Sequence, residues 1–344
     1  MDPYSMDPYS REMRKDKANN ERARMHIPEE AAVTMAKKSK LYLLTGFLGA
    51  GKTTFLTRVL KDLIDSKVGV IMNEFGKIGI DGTLIEREGM ELVEINRGSI
   101  FCSCLQLNFV SALVEMADRE MEYVFVESSG LADPSNIGDF LDAVAIAKGD
   151  VYDYSGAICI VDGENFLEQV KEIETVERQL RFCHLVIVSK VDLIDEAKLQ
   201  AVKNKVMEIN DRVTIVESAN GQFDYDFLKE DLTGANWIGS EDTTNSPDNK
   251  PKTLTLHYDG PVEKKQLTAF LDKVKLDSYR IKGFFNLEDG WNQVDVVNKR
   301  IDFKPASKNG ESSELVIISK IGPGIIRPLF TAWEEAIGGK PRVR

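Results

Sequence analysis

Between Leu41 and Glu217 short apolar runs alternate with stretches whose apolar residues recur at helical spacing, a pattern that predicts a mostly parallel sheet wrapped by helices. The predicted strands are Leu41–Thr45, Val68–Met72, Glu91–Ile95, Tyr123–Glu127, Gly156–Val161, Leu185–Ser189 and Val213–Glu217. Helices are expected over Thr53–Ser66 and Leu105–Arg119, the latter carrying Leu105, Phe109, Leu113 and Met116 on one face. Right-handed crossovers would join most strands, and the loops at the strands' carboxyl ends would build any ligand site.

After Leu232 the texture changes. Residues 236–252 are polar and turn-rich, as a linker is. Beyond it Thr253–Tyr258 alternates as a strand, Val262–Val274 has helical period, three or four strands fall between Ser278 and Ser319, and a last helix covers Ile325–Ile337. The expected fold is therefore α/β over 41–235, with a smaller α+β domain over 253–344 that is small enough to need a neighbour for full burial. The first 40 residues differ from both. MDPYS occurs twice, a mixed-charge, apolar-poor segment follows, and residues 1–34 read as a disordered, tag-like or upstream extension ahead of Met35.

The first strand opens into Gly46-Phe-Leu-Gly49-Ala50-Gly51-Lys52-Thr53-Thr54, which fills the pattern G-x-x-x-x-G-K-[ST]. Its glycines let successive N–H groups turn toward an anion, and the following helix adds the positive end of its dipole. Lys52 is expected to reach the β- and γ-phosphates and the Thr53 hydroxyl to ligate Mg²⁺. A chance glycine-rich turn is the bland alternative; strand, loop and helix falling where the motif needs them argue against it.

Two later strand ends extend the site. Tyr123–Glu127 delivers a carboxylate, Glu127, able to hold Mg²⁺ through water, and Gly130 can offer its N–H to the γ-phosphate. Leu185-Val-Ile-Val-Ser189-Lys190-Val191-Asp192 is similar to the N-K-x-D guanine box with Ser189 in place of Asn. The Asp192 carboxylate would accept from the guanine N1–H and exocyclic amine, which adenine does not present in that arrangement, and the Lys190 stem would cover the base plane. Ser189 cannot supply both functions of a carboxamide. Ser218 and Ala219, at the next strand end, would present backbone N–H to the guanine oxygen. Between these motifs, Asn73–Gly82 lies where a first switch segment belongs, with Glu74 and Asp81 able to approach Mg²⁺ or the attacking water. Asn96–Leu105 follows, carrying Arg97, Cys102 and Cys104.

Composition narrows the function. With 42% hydrophobic and 29% charged residues in 344 the chain is an ordinary globular one, and a net charge of -12 argues against nucleic acid as partner. No apolar run approaches the roughly 20 residues that span a bilayer, and the chain reads as cytoplasmic. Four cysteines do not suggest a disulfide framework; Cys159, and Cys183 with His184, read as core.

TGFLGAGKTT, NEFG, ESSGLADPS and SKVD, in that order and spacing, resemble the CobW family of P-loop GTPases, relatives of the nickel chaperones HypB and UreG. Tyr279–Glu288 and Glu314–Ser319 look like that family's second domain. The resemblance implies GTP hydrolysis with Mg²⁺, with Lys52, Thr53, Glu127 and Glu74 as the catalytic set, and a role in metal delivery or metalloenzyme maturation. Where the family carries G-C-x-C-C this chain has Gly98-Ser99-Ile100-Phe101-Cys102, with an additional Cys104, and Lys77 replaces the acid after NEFG. Cys102 and Cys104 supply two thiolates where structural zinc takes four ligands, so they are read either as a partial site for zinc or cobalt or as small apolar side chains. Two functions stay open: a GTPase that delivers a metal or metallocofactor to a client metalloprotein, and a metal-free GTPase switch that remodels a partner such as a corrinoid enzyme. An ATP-dependent kinase on the same scaffold is a third, and Asp192 counts against it. Without an evident arginine or glutamine for the transition state, hydrolysis by the chain alone is expected to be slow.

Overall fold

The structure is a computed structural model, and it describes residues 38–73, 91–95, 106–223, 226–229, 231–234, 251–307 and 312–344. The apolar runs of the first half form seven parallel strands: β1 (Ser39–Thr45), β2 (Val68–Asn73), β3 (Glu91–Ile95), β4 (Tyr123–Glu127), β5 (Tyr152–Asp162), β6 (Leu185–Ser189) and β7 (Thr214–Ser218). Their order across the sheet is β3-β2-β4-β1-β5-β6-β7. β4 and β5 flank β1 on either side. β2 therefore lies on one side of β1 and β6 on the other, the placement in which such sheets open a crevice at their carboxyl ends.

Alternation along β1 shows why the runs are continuous. Leu41 and Leu43 enter the hydrophobic core on one side of the sheet, Tyr42 and Leu44 the core on the other. All five residues of β6 are buried, as a strand covered on both faces requires. Helices α1 (Lys52–Asp62), α2 (Gln106–Ala117), α3 (Ile137–Lys148), α4 (Phe166–Glu172), α5 (Glu174–Arg181) and α6 (Glu196–Ile209) carry the chain between strands. On α2, Phe109, Leu113 and Met116 are fully buried, as their spacing predicted, and Phe109 meets Phe140 of α3 edge-to-face at 5.2 Å.

Several boundaries differ from expectation: β1 begins at Ser39, β2 ends at Asn73, α2 covers Gln106–Ala117, and both helices of the second half are shorter than predicted. α1 stops at Asp62 rather than Ser66, because the Leu63 and Ser66 amides bond back to the Val59 and Leu63 carbonyls and close a turn. β5 begins four residues early and takes in Asp162, since pairing with β1 continues through a bulge at Leu41/Tyr42. β7 is offset by one residue and ends on Ser218.

The second half forms a six-stranded antiparallel sheet, order β11-β10-β9-β12-β8-β13, from β8 (Thr253–Tyr258), β9 (Ser278–Leu287), β10 (Gly290–Val297), β11 (Arg300–Pro305), β12 (Ser313–Ser319) and β13 (Arg342–Val343). Helices α7 (Lys264–Val274) and α8 (Ile326–Ala336) cover one face, where Leu267, Phe270, Leu329 and Trp333 pack on Ile281, Phe285, Val294 and Ile317. Four strands lie between Ser278 and Ser319. The expectations for Glu74, Lys77, Asp81, Arg97, Cys102 and Cys104, for the N-terminal extension and for most of the linker lie outside the described residues.

Candidate nucleotide-binding site

At the carboxyl end of β1 the chain turns through the glycine motif into α1. Gly46 has φ +132°, and a Cβ there would fall 2.2 Å from the Ile160 carbonyl oxygen, so the first turn of the loop tolerates no side chain. Gly49 has φ +77° and Gly51, at the helix N-cap, φ +107°, while Ala50 is wholly buried. Lys52 is buried and its Nζ donates to the Gly46 carbonyl at 2.7 Å and to the Phe47 carbonyl at 3.3 Å, folding the cation back along the loop. Lys52, Thr53 and Thr54 open the helix, so their amides belong to the group that has no partner within it.

Thr53 Oγ1 donates to Glu127 Oε1 at 2.8 Å, across 74 residues of sequence. Parallel pairing of β1 with β4, Leu44 beside Glu127, brings the carboxylate to the foot of the loop. A hydroxyl and a carboxylate oxygen side by side are the hard oxygen donors that Mg²⁺ takes. Thr53 Oγ1 and Glu127 would hold Mg²⁺, which would supply positive charge against the charge of a nucleotide's phosphates.

Beyond Glu127, Ser128 closes the strand by donating to the Leu44 carbonyl at 2.9 Å, and Gly130 comes so near the P-loop that a Cβ would lie 2.6 Å from the Leu48 nitrogen. The segment Ser129–Ser135 is held from behind. Asp133, fully buried, accepts from Arg178 Nε of α5 at 2.7 Å, and Gln179 Nε2 donates to the Ala132 carbonyl at 2.9 Å. Neither residue was singled out from the sequence; a buried acid within ESSGLADPS and an arginine 45 residues later have no local pattern in common.

The third motif sits at the end of β6. Ser189 Oγ lies 2.7 Å from the Ala50 carbonyl and 3.0 Å from the Val161 carbonyl, so its single hydrogen is shared between the P-loop and β5. Lys190 adopts φ +59°, a left-handed conformation uncommon for a side-chain-bearing residue, and its Nζ donates to Asp162 Oδ2 at 2.7 Å. Asp162 also accepts from the Glu164 amide and from Asn165 Nδ2. It ends an apolar strand as Glu127 does, and that shared position was the signal by which it could have been found.

Asp192 Oδ1 accepts from the Asn220 amide at 2.8 Å, joining the guanine-box turn to the loop after β7. Ser218 ends β7, Ala219 opens that loop, and Ala219 pairs with Gln222. Arg58 of α1 donates to the Asn220 carbonyl, and Phe55 stacks on Phe223 at 4.5 Å, which ties the same loop to the P-loop helix.

The P-loop, the end of β4 and Lys190 border one cavity of about 970 Å³, whose lining does not include Asp192, Ser218 or Ala219. Leu48, Gly49, Gly51, Lys52, Thr53 and Thr54 line one side with Glu127–Gly130, Lys190 and Arg58; residues of β9, β10 and β11 line the other. Nine lysines and arginines face five acids there, in a chain whose net charge is -12. An acidic protein has thus gathered cations around its phosphate loop, which favours a polyanionic ligand.

The packing residues behave as expected. Cys159 and Cys183 are buried free thiols, and burial beside Cys159 pushes the Cys183 thiol well up. His184 Nδ1 accepts from the Ala157 amide at 3.0 Å, and burial lowers its pKa from 6.5 to about 4, so the ring is neutral. Among the described residues no three His, Cys, Asp or Glu side chains gather as a metal-holding group, and no helix is long and apolar enough to cross a membrane.

Comparison with known proteins agrees with this geometry. The family profile for the CobW/HypB/UreG nucleotide-binding domain matches residues 40–217, and that for the cobalamin synthesis protein CobW C-terminal domain matches residues 252–330. The chain is 30% identical over 210 residues to a zinc chaperone CobW of Sinorhizobium sp, a match covering 52% of this chain and 59% of that protein. It is 26% identical over 271 residues to the zinc chaperone YjiA of Escherichia coli, covering 73% and 83%. A crystal structure of Zn(II)-bound YjiA GTPase from E. coli aligns over 87% of this chain and 99% of that one, at 19% identity and a TM-score of 0.44. The chain belongs to the CobW/HypB/UreG family of nucleotide-binding proteins.

Proposed function

We propose that the protein binds GTP with Mg²⁺ and hydrolyses it to GDP and phosphate, and that it uses the cycle to deliver a metal ion or to mature a metalloenzyme in the cytoplasm. The observation that carries the nucleotide part is the convergence of Lys52, Thr53 and Glu127, with the Thr53–Glu127 bond of 2.8 Å at its centre. Lys52 neutralises the polyphosphate, the α1 amides hold it, and Asp192 with the loop at Ser218–Ala219 selects guanine. Glu74 is assigned to the attacking water. Catalysis of this kind is positioning and charge stabilisation, and the chain alone turns over slowly because a partner completes the site.

Support for the cargo comes from the relatives, which are named zinc chaperones and, in Dictyostelium discoideum, a zinc-regulated GTPase metalloprotein activator that matches at 25% identity over 50% of its length. Zinc or cobalt would be held at Cys102 and Cys104, completed by a client metalloprotein. The replacement of the family's cysteine motif by Gly98-Ser-Ile-Phe-Cys102 supports a second reading, a metal-free switch that remodels a partner such as a corrinoid enzyme. Zinc and cobalt titrations of the purified protein, with and without GTP, decide between them. Tighter binding than by the Cys102→Ser/Cys104→Ser variant is the expected result. Equal binding removes the cargo role and leaves the switch.

A further inference from the structure

On the face of the antiparallel sheet that turns away from α7 and α8, β10 and β11 carry mostly polar residues at a period of two. In β10, Val294 and Val296 are buried in that sheet's core, while Gln293, Asp295 and Val297 line the cavity opposite the P-loop. In β11, Ile301 and Phe303 pack on the core, while Arg300, Asp302 and Lys304 line the cavity. The turn between the two strands, with Asn298 at φ +53°, lines the same cavity. A Cβ on Gly49 would fall 2.5 Å from Val297 Cγ1, and Phe47 meets Tyr279 of β9 edge-to-face at 5.9 Å.

The neighbours of the P-loop show which end of a nucleotide this turn meets. The base loop abuts α1: a Cβ on Gly221 would lie 3.3 Å from Thr54 Cγ2, and Arg58 holds the Asn220 carbonyl. Leu48, at the other end of the loop, abuts Gly130 next to the Thr53–Glu127 pair. A polyphosphate held by the α1 amides would on this arrangement run from α1 toward Leu48 and Gly49, the residue on which Val297 packs.

The geometry points to this turn as a sensor of the terminal phosphate: Lys299 and Arg300, carried by the C-terminal sheet, bind the γ-phosphate and, in the triphosphate state, add a charged anchor to the apolar contacts that Val297 and Tyr279 already make with the P-loop. The inference rests on the guanine-nucleotide reading above. Arg300 Nε is set along β11 by an ion pair with Asp302 at 2.7 Å, which orients the guanidinium at the cavity edge. Both cations are exposed, Lys299 on the turn and Arg300 at the first position of β11, so replacing them leaves the sheet's core untouched. A diphosphate ends short of them, and the sheet loses that anchor. The nucleotide's hydrolysis state is thereby transmitted to the second domain through charge.

The test titrates the full chain with fluorescent GDP and a fluorescent non-hydrolysable GTP analogue, each with Mg²⁺. The Lys299→Ala/Arg300→Ala variant is expected to lose about tenfold in affinity for the triphosphate and less than about twofold for GDP. Lys299→Arg/Arg300→Lys, which keeps both charges, restores most of the loss. Equal losses for the two nucleotides, or none, overturn the proposal while guanine-nucleotide binding by the unmutated chain stands. If the unmutated chain binds neither nucleotide, the guanine-nucleotide reading fails and the sensor with it.

Discussion

Ser189 Oγ, at the end of β6, sits 2.7 Å from the carbonyl of Ala50 in the P-loop, 139 residues earlier in the chain. Where the guanine box carries Asn, this chain keeps a donor to the phosphate loop with a shorter side chain, and gives up the second function of a carboxamide. Ser189→Ala removes the donor and leaves buried carbonyls short of a partner. Denaturant unfolding should show a loss of about 1–2 kcal/mol, and GTP affinity should fall because base strand and phosphate loop are no longer joined.

Lys52→Ala should abolish GTP hydrolysis, since among the described residues no other cation is folded along the loop as Lys52 is. Glu127→Gln keeps a partner for Thr53 Oγ1 but removes the charge. It should lower turnover by about a hundredfold or more and raise the Mg²⁺ concentration required, read from a magnesium titration of hydrolysis at saturating GTP. Unchanged magnesium dependence would take Glu127 out of the ion's site.

Asp192→Asn tests the base assignment. The carboxylate already accepts from the Asn220 amide through one oxygen at 2.8 Å. With an amide in its place the preference for GTP over ATP should relax by about two powers of ten, measured as the ratio of kcat/KM values. Comparable turnover of ATP and GTP by the unmutated protein would refute the guanine reading outright.

Arg178→Met leaves the Asp133 carboxylate buried without its 2.7 Å cation, in a side chain that has no exposure. Breaking a buried pair from one side costs about 3–5 kcal/mol, and Arg178→Met/Asp133→Leu should recover part of it. Thermal unfolding of the single and double variants checks this. Because Asp133 holds the segment that follows Glu127, GTP affinity should drop in the single variant as well.

Acid stability should depend on His184, whose ring is kept neutral by burial. Its folded pKa of about 4 lies below the ordinary 6.5, so the unfolded chain takes up the proton first as pH falls. Stability is full above pH 6.5 and declines toward pH 4, by about 3 kcal/mol in all. His184→Phe, whatever its own cost, should flatten the dependence of unfolding free energy on pH across that window. A slope equal to that of the unmutated protein would assign the acid sensitivity to other groups.

The strands and the first motif were legible because they are local. Continuous apolar runs bury on both faces, and β3, β4, β6 and β8 match the predicted bounds residue for residue. Glu127 was found because it ends such a run; Asp162 ends another and was passed over, since the predicted strand stopped one residue short of it. The Arg178–Asp133 pair escaped because nothing within either segment predicts its partner.

The sequence by itself determined the sheet, the phosphate loop and the residue types at each strand end, since backbone conformation and side-chain period are decided by neighbours a few positions away. It also held the polar alternation of β10 and β11, but not what that face would meet. Only the tertiary structure decided that Val297 rests on Gly49 and that Lys299 and Arg300 border the nucleotide cavity. The reason is physical: contacts between residues some 250 positions apart depend on how two sheets pack, and no local propensity encodes that packing.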